Sequence, residues 1–298
     1  MAGLDLTSAA LAQARMSLAS GQPGKAVEWL ETVPAGSRPP DLEATVCYQA
    51  AKASIQQGAW GTANLLLERA NSAASTPLHQ RRLSLVRQRP DFRIQDEQLE
   101  NALGQTLRST GLRTQLIQPE IDSVWALGAY ISRGAQSGTP ISRLVRLGKE
   151  ELADEERQGV AGVAGALLGH LLLNETDALA RADLVVSIPA NPHRYASRGW
   201  SMPDELARSV ERHLTVPFEF GLLRSQAGEI ELRGLSWSER RRAVRESMYV
   251  EGPRVDGLGV LVVDDVVTSG STLREAGRLL KEHGATEVLG AALTHTEG

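Results

Sequence analysis

One stretch limits the folds open to this chain more than any other. In Val262-Val263-Asp264-Asp265-Val266-Val267-Thr268-Ser269-Gly270-Ser271-Thr272, an apolar run over 258–263 ends in two carboxylates. A loop of hydroxyl residues around a single glycine follows. Leu273, Ala276, Leu279 and Leu280 then recur at the steps of an amphipathic helix over 273–283, closed by Gly284. A strand with no polar alternation is buried on both faces, which requires a parallel sheet covered by helices.

The rest of the C-terminal half agrees. Apolar runs at 124–131, 184–188, 258–263 and 287–293 read as strands, and 216–223 as extended chain. Helical patterns occupy 140–152, 159–173, 203–214 and 236–245. The expected class is α/β, and in such sheets ligands sit beyond the carboxyl ends of the strands.

The first 75 residues read as helices only. Gly21, Ala26 and Leu30 map onto Gly58, Ala63 and Leu67, and Ala14 and Leu18 onto Ala51 and Ile55, a repeat of 37 positions. Each copy is a helix, a glycine turn and a second helix, joined by Pro34-Ala35-Gly36-Ser37-Arg38-Pro39-Pro40. The pattern is that of two tetratricopeptide-like hairpins or of a plain antiparallel bundle. Residues 76–120, with a helical pattern at 96–108, read as a helical connector. The Arg81, Arg82, Arg87, Arg89, Arg93 series reads as a solvated face in preference to a nucleic-acid contact, because no aromatic ladder accompanies it. The domains expected are thus 1–75, 76–120 and 121–298.

Composition removes several function classes. The 298 residues are 42% hydrophobic, enough for about two domains. With 32 Lys+Arg against 36 Asp+Glu, the formal charge of −4 excludes a broad basic surface. Cys47 is the sole cysteine, so neither a disulfide framework nor a four-cysteine zinc site can form. No apolar run reaches the roughly 18 residues of a membrane span, and no signal pattern opens the chain. The expectation is a soluble, cytoplasmic protein.

The chemistry concentrates at 264–272. The loop delivers free N–H groups, hydroxyls and the positive end of a helix dipole to one point, which is a phosphate site. Two carboxylates beside a phosphate need another partner on the same ligand, and vicinal ribose hydroxyls supply it. The ligand read from these residues is a ribose 5-phosphate. The plainer alternative is a strand end whose Thr272 and Glu275 form only a capping box. A second element, Pro189-Ala190-Asn191-Pro192-His193-Arg194-Tyr195-Ala196-Ser197-Arg198-Gly199-Trp200, puts two Arg and a His in a loop stiffened by proline. Guanidinium forks there suit a pyrophosphate leaving group, or belong to a surface loop.

These stretches resemble the signature of type I phosphoribosyltransferases, which bind 5-phosphoribosyl 1-pyrophosphate (PRPP) with Mg2+. With Gly234-Leu235-Ser236-Trp237-Ser238-Glu239-Arg240-Arg241-Arg242, and with Tyr130 to Lys149, the order is similar to the ComF family, phosphoribosyltransferase-like proteins linked to DNA uptake. The resemblance covers about residues 122–298. It implies a parallel-sheet phosphoribosyltransferase fold preceded by an all-helical domain. Asp264 and Asp265 would hold the ribose, Thr268, Ser269, Gly270, Ser271 and Thr272 the 5-phosphate, and Asn191, His193, Arg194 and Arg198 the pyrophosphate. Arg198 would join the acids as a catalytic group. Mg2+ would be carried by PRPP and not by a metal site of the chain.

The implied activity is Mg2+-dependent pentosyl transfer, the reaction of a glycosyltransferase, from PRPP to a nitrogenous acceptor. The alternative is a non-catalytic PRPP- or nucleotide-binding accessory protein in DNA uptake (competence). In that reading the helical domain recruits a protein partner, and single-stranded DNA is a weaker candidate. Arg240, Arg241, Arg242 and Arg245 read as a lid or a solvated face. The chain departs from the family at its missing cysteine-rich zinc ribbon. It departs also at Ser187 for a proline, at Ser201-Met202 for Asn-Gln, and at Leu232 and Ala243 for a Gln and an Asn.

Overall fold

The computed structural model describes residues 6–88, 114–118, 120–130, 140–147, 154–192, 195–196, 199–225 and 248–296. Its N-terminal helices are α1 (Leu6–Ala19), α2 (Pro23–Glu31), α3 (Pro40–Gln56), α4 (Trp60–Ala73) and α5 (Pro77–Gln88), and each packs on the next. The two glycine turns are copies. Gly21 and Gly58 take φ of +70° and +72°, which glycine adopts without a Cβ penalty. The following amides reach back to Ser17 and Ser54 carbonyls in the same way. Ala14, Ala26 and Leu30 and their counterparts Ala51, Ala63 and Leu67 are all fully buried. The 37-residue repeat is therefore also a repeat of packing.

Contacts divide the chain into Met1–Pro90 and Asp91–Gly298. Helix α5 thus belongs to the first unit, beyond the boundary expected at residue 75. One member of the basic series is also placed differently from the expectation. Arg82 is fully buried, donating to the Tyr48 hydroxyl at 2.9 Å with its guanidinium 5.4 Å from the ring centre.

The second unit runs β1 (Thr114–Gln118), β2 (Ile121–Tyr130), α6 (Pro140–Arg146), α7 (Asp154–Glu175), α8 (Ala178–Arg181), β3 (Leu184–Ser187), α9 (Met202–Leu214), β4 (Leu223–Ser225), β5 (Met248–Val250), β6 (Gly259–Val267), α10 (Ser271–Glu282) and β7 (Glu287–Thr296). The sheet order is β1-β2-β7-β6-β3, with β1 antiparallel to β2 and the remaining neighbours parallel. On one face Val186, Val260, Val262, Val288 and Ala292 bury against Leu273, Ala276 and Leu280 of α10. Helix α7 packs on α9, and α9 on β3 and β6. Strands β4 and β5 form a separate ribbon.

Three elements differ from the sequence reading, and the extended segment at 216–223 agrees with it. Strand β1 lies in the stretch read as a helical connector, paired to β2 over Thr114–Ala126 to Gln118–Ile121. Strand β6 continues to Val267 instead of ending at residue 263, because β7 also runs longer and pairs Val266 and Val267 with Thr294 and His295. The acids are therefore strand residues. Helix α7 begins at Asp154, before the apolar pattern at 159. The extended segment 216–223 is an edge beside β3, held by Val185 N–H to the Pro217 carbonyl (2.8 Å) and Glu219 N–H to the Val185 carbonyl (2.9 Å). The helices expected at 96–108 and 236–245, with the lid arginines and Trp237, lie outside the described residues. Among the described residues no helix is long and apolar enough to cross a membrane.

Candidate functional site

The site is built on β6, its loop and α10. Register sets Asp264 beside Ala292, on the face that Val260 and Val262 share with α10, while strand alternation turns Asp265 to the other face. Asp264 is 9% exposed and Asp265 half-buried. The Asp265 N–H donates to Asp264 Oδ1 at 2.8 Å, which orients that carboxylate at the strand end.

The loop turns at Gly270, which is buried, has φ +70° and ψ 5°, and is the N-cap of α10. Thr268 and Ser269 are exposed. The Ser269 and Ser271 hydroxyls are 2.8 Å apart, and the Ser271 N–H reaches Ser269 Oγ only at 3.4 Å. The Gly270, Thr272 and Leu273 amides have no acceptor among the described residues. These are the orphan donors of a helix start, and the dipole adds positive potential there. Thr272 sits inside the first turn and not at the cap, so the Thr272–Glu275 capping box does not form. Glu275 instead accepts from Arg278 at 2.5 and 3.0 Å. The Thr272 hydroxyl is thus not spent on starting the helix.

The sequence reading passed over Arg274. Its guanidinium donates to Ser271 Oγ at 3.2 Å, setting a cation against the loop. The signal was present in its spacing, since residues three apart on a helix are neighbours.

The second loop leaves β3 at Ser187. The Ile188 N–H donates to the Val263 carbonyl at 2.9 Å, which keeps the loop's root beside the strand carrying the acids. Two departures from the family pattern acquire a reason here. Ser187 Oγ donates to Asp204 Oδ1 in a buried pair, and Ser201 Oγ caps α9 by accepting the Asp204 N–H at 3.3 Å. Ser187, Ser201 and Asp204 together pin the loop's exit to the strand end. Asn191 is half-buried, and its carbonyl accepts the Tyr195 N–H at 2.9 Å. His193, Arg194 and Arg198 lie outside the described residues. The structure therefore brings Asp264, Asp265 and 268–272 together on one strand, loop and helix, with the root of the second loop one strand away.

Comparison with known proteins agrees with this arrangement. Residues 197–296 match the family model described as "Phosphoribosyl transferase domain". The "DNA utilization protein YhgH" of Escherichia coli O157:H7 is 30% identical over 156 residues, 52% of this chain and 66% of that protein. "Competence protein F" of Haemophilus influenzae is 30% identical over 115 residues, 38% of this chain and 50% of that protein. The chain thus spans just under two thirds of the first relative and half of the second. A solved glutamine PRPP amidotransferase from B. subtilis aligns at 24% identity over 50% of this chain and 30% of its own, with a TM-score of 0.36, too slight a likeness to bear on the fold. The parallel sheet, the loop between β6 and α10 and the match over residues 197–296 make the C-terminal unit similar to the phosphoribosyltransferase domain, and its relatives are proteins named for DNA utilization and competence.

Proposed function

We propose that this chain binds PRPP at the carboxyl ends of β3 and β6 and transfers its phosphoribosyl group to a nitrogenous acceptor. The observation that carries this reading is the pairing of two acids near the C-terminal end of strand β6 with the open amides of the Gly270 turn that follows it. In it the 5-phosphate lies on the Gly270, Thr272 and Leu273 amides and the hydroxyls of Thr268, Ser269, Ser271 and Thr272, beside Arg274. Because the two acids face opposite sides of the strand, the ribose hydroxyls donate to one of them, and the other acts at longer range or through a metal-bound water. Asn191, His193, Arg194 and Arg198 are assigned to the pyrophosphate by family resemblance.

In the reaction the bond from C1 of the ribose to the pyrophosphate oxygen breaks, and its electron pair leaves with pyrophosphate. A bond from C1 to the acceptor nitrogen forms, and the acceptor's proton passes to solvent. The acids and the loop contribute by holding C1 in line and by stabilising the positive charge that develops on the sugar. Among the described residues no group of three or more His, Cys, Asp or Glu converges on one point. In this reading Mg2+ is carried by the oxygens of PRPP and by water, and an acid that does not touch the sugar would reach the ion through a bound water. When bound, Mg2+ supplies charge neutralisation for the departing pyrophosphate.

Calorimetric titration with PRPP and Mg2+, followed by a pyrophosphate-release screen over nucleobases, tests the reading. Binding is expected, and the Asp264→Ala, Asp265→Ala double variant should lose at least about 100-fold in affinity, from two hydrogen bonds to charged groups. Full affinity in that variant would show that the site is elsewhere.

The names of the relatives favour a second reading: an accessory protein in DNA uptake that binds PRPP without turnover, with the helical unit recruiting a partner. It expects PRPP binding and no pyrophosphate release with any acceptor. A direct DNA role further expects retention of single strands that falls steeply with salt.

A further inference from the structure

The acids of β6 have polar neighbours on the next strand. Strand β7 is apolar from Val288 to Leu293 and then ends in Thr294-His295-Thr296. Its register sets Ala292 beside Asp264, Thr294 beside Val266 and His295 beside Val267. His295 therefore flanks the residue from which the hydroxyl loop departs. Side chains level across a parallel pair share a face, so Thr294 lies on the face of Asp264 and His295 on that of Asp265. A strand spacing of about 4.8 Å and a rise of about 3.3 Å per residue put the Cα atoms of Asp265 and His295 roughly 8 Å apart.

The fold leaves polar atoms of both residues unused. Thr294 is fully buried and His295 is 8% exposed, and Thr294 Oγ1 and His295 Nδ1 are buried atoms with no hydrogen-bond partner. In the second unit the other such side-chain atoms among the described residues are Glu120 Oε2 and Trp200 Nε1, so two of the four fall together at the site's end of the sheet. A buried polar atom left unsatisfied costs roughly 1–3 kcal/mol. A native structure keeps one where a ligand, a water or a reaction makes use of it. The other described histidines are anchored. A ring nitrogen of His79 lies 3.1 Å from the Ala74 carbonyl, of His213 2.8 Å from the Ser209 carbonyl, and of His283 2.9 Å from the Pro253 carbonyl. His170 has Asn174 Nδ2 at 3.1 Å. The buried nitrogen of His295 has no such structural employment. Imidazoles exchange protons near neutral pH, which hydroxyls do not.

We propose that His295 is the general base of the phosphoribosyl transfer and takes the proton that the acceptor nitrogen sheds. The assignment rests on the transfer reading above. As the bond from C1 to the acceptor nitrogen forms, the N–H bond breaks, its electron pair stays on nitrogen and the proton passes to the imidazole. The imidazolium then gives that proton to water, which returns the ring to its starting state. Asp265, on the same face, stabilises the imidazolium by its charge, as an acid beside a catalytic histidine does.

The test measures pyrophosphate release by the full chain with PRPP, Mg2+ and, in turn, adenine, uracil and ammonium chloride as acceptors, and PRPP affinity by calorimetry. The amide of His295→Gln can hydrogen-bond but cannot take up a proton. In that variant kcat should fall at least about 100-fold, the lower end of what a general base supplies. PRPP affinity should stay that of wild type. His295→Ala leaves space for a ring, and added imidazole should restore much of its lost rate. His295→Asn replaces the Gln variant if circular dichroism shows the latter unfolded. Wild-type kcat in a folded Gln or Asn variant, or no response of His295→Ala to imidazole, would overturn the assignment and leave the transfer reading standing. So would a parallel loss of PRPP affinity, since His295 would then be a support of the site. A wild-type protein that binds PRPP and releases no pyrophosphate with any acceptor would reject the transfer reading itself, and this assignment with it.

Discussion

Substituting Gly270 by alanine separates the two things that the turn does. At φ +70° and ψ 5° the residue is left-handed. An L side chain there costs roughly 1–2 kcal/mol. Alanine also stiffens the unfolded chain, which offsets roughly 0.4–1 kcal/mol of that cost. The net expectation is a loss of about 1 kcal/mol, or about 2–4 °C in Tm for a unit of this size. Relief of the strain would rotate the peptide planes around residue 270 and swing the Gly270 and Thr272 amides off a common point, so PRPP affinity should fall more steeply than stability. Gly270→Asn is the control, because asparagine tolerates the left-handed region and should lose less of both. Thermal denaturation followed by circular dichroism, paired with PRPP titration, reads the two effects separately. An alanine variant as stable as wild type, with full PRPP affinity, would refute the claim that the turn's geometry presents the amides.

Other predictions rest on independent contacts. A Cβ on Gly259 would lie 2.0 Å from the Arg181 carbonyl oxygen, so Gly259→Ala should cost about 3 kcal/mol or more in urea denaturation, or prevent folding. Burial by itself raises the Asp122 pKa, but the Val288 N–H at 2.8 Å and the Lys281 ammonium at 3.1 Å outweigh it and hold the carboxyl below its ordinary value. A depressed folded pKa adds stability that is present above the unfolded value, about 4, and is lost as pH falls through the folded one. Asp122→Asn should therefore be less stable than wild type at pH 7, and the two denaturation curves should converge in acid. The Cys47 thiol is fully buried, and burial, partly opposed by Arg69, pushes its pKa up to about 11. A disulfide reagent at pH 8 should leave the native protein unlabelled and titrate one thiol in urea. Rapid labelling of the native chain would contradict that burial.

Much of the second unit was legible because its strands are apolar runs between amphipathic helices, and period alone separates the two. The Gly284 stop was legible too. It forms the expected left-handed cap at φ +107°, with the Gly284 and Ala285 amides returning to the Lys281 and Leu280 carbonyls. What failed was length at polar ends. Asp264 and Asp265 looked like the end of a strand because composition changes there, yet the ladder to β7 continues through Val267. Strand β1 failed for the same reason, since Thr114–Gln118 becomes a strand only by pairing with β2. Arg82 looked solvated within an arginine series, and only its place under Tyr48 shows otherwise.

From its sequence alone, this protein's layered α/β class, its repeated helical hairpins and the hydroxyl-rich turn after two acids were determined, because each is a local pattern of side-chain period and backbone freedom. Tertiary structure alone decided that Ser187 and Ser201 meet at Asp204, that Arg274 faces the turn, and that Thr294 and His295 lie beside the end of β6. Those contacts join residues distant in the chain or set by a helix's rotation, and hydrogen bonding and packing select them only once the sheet has brought its strands together.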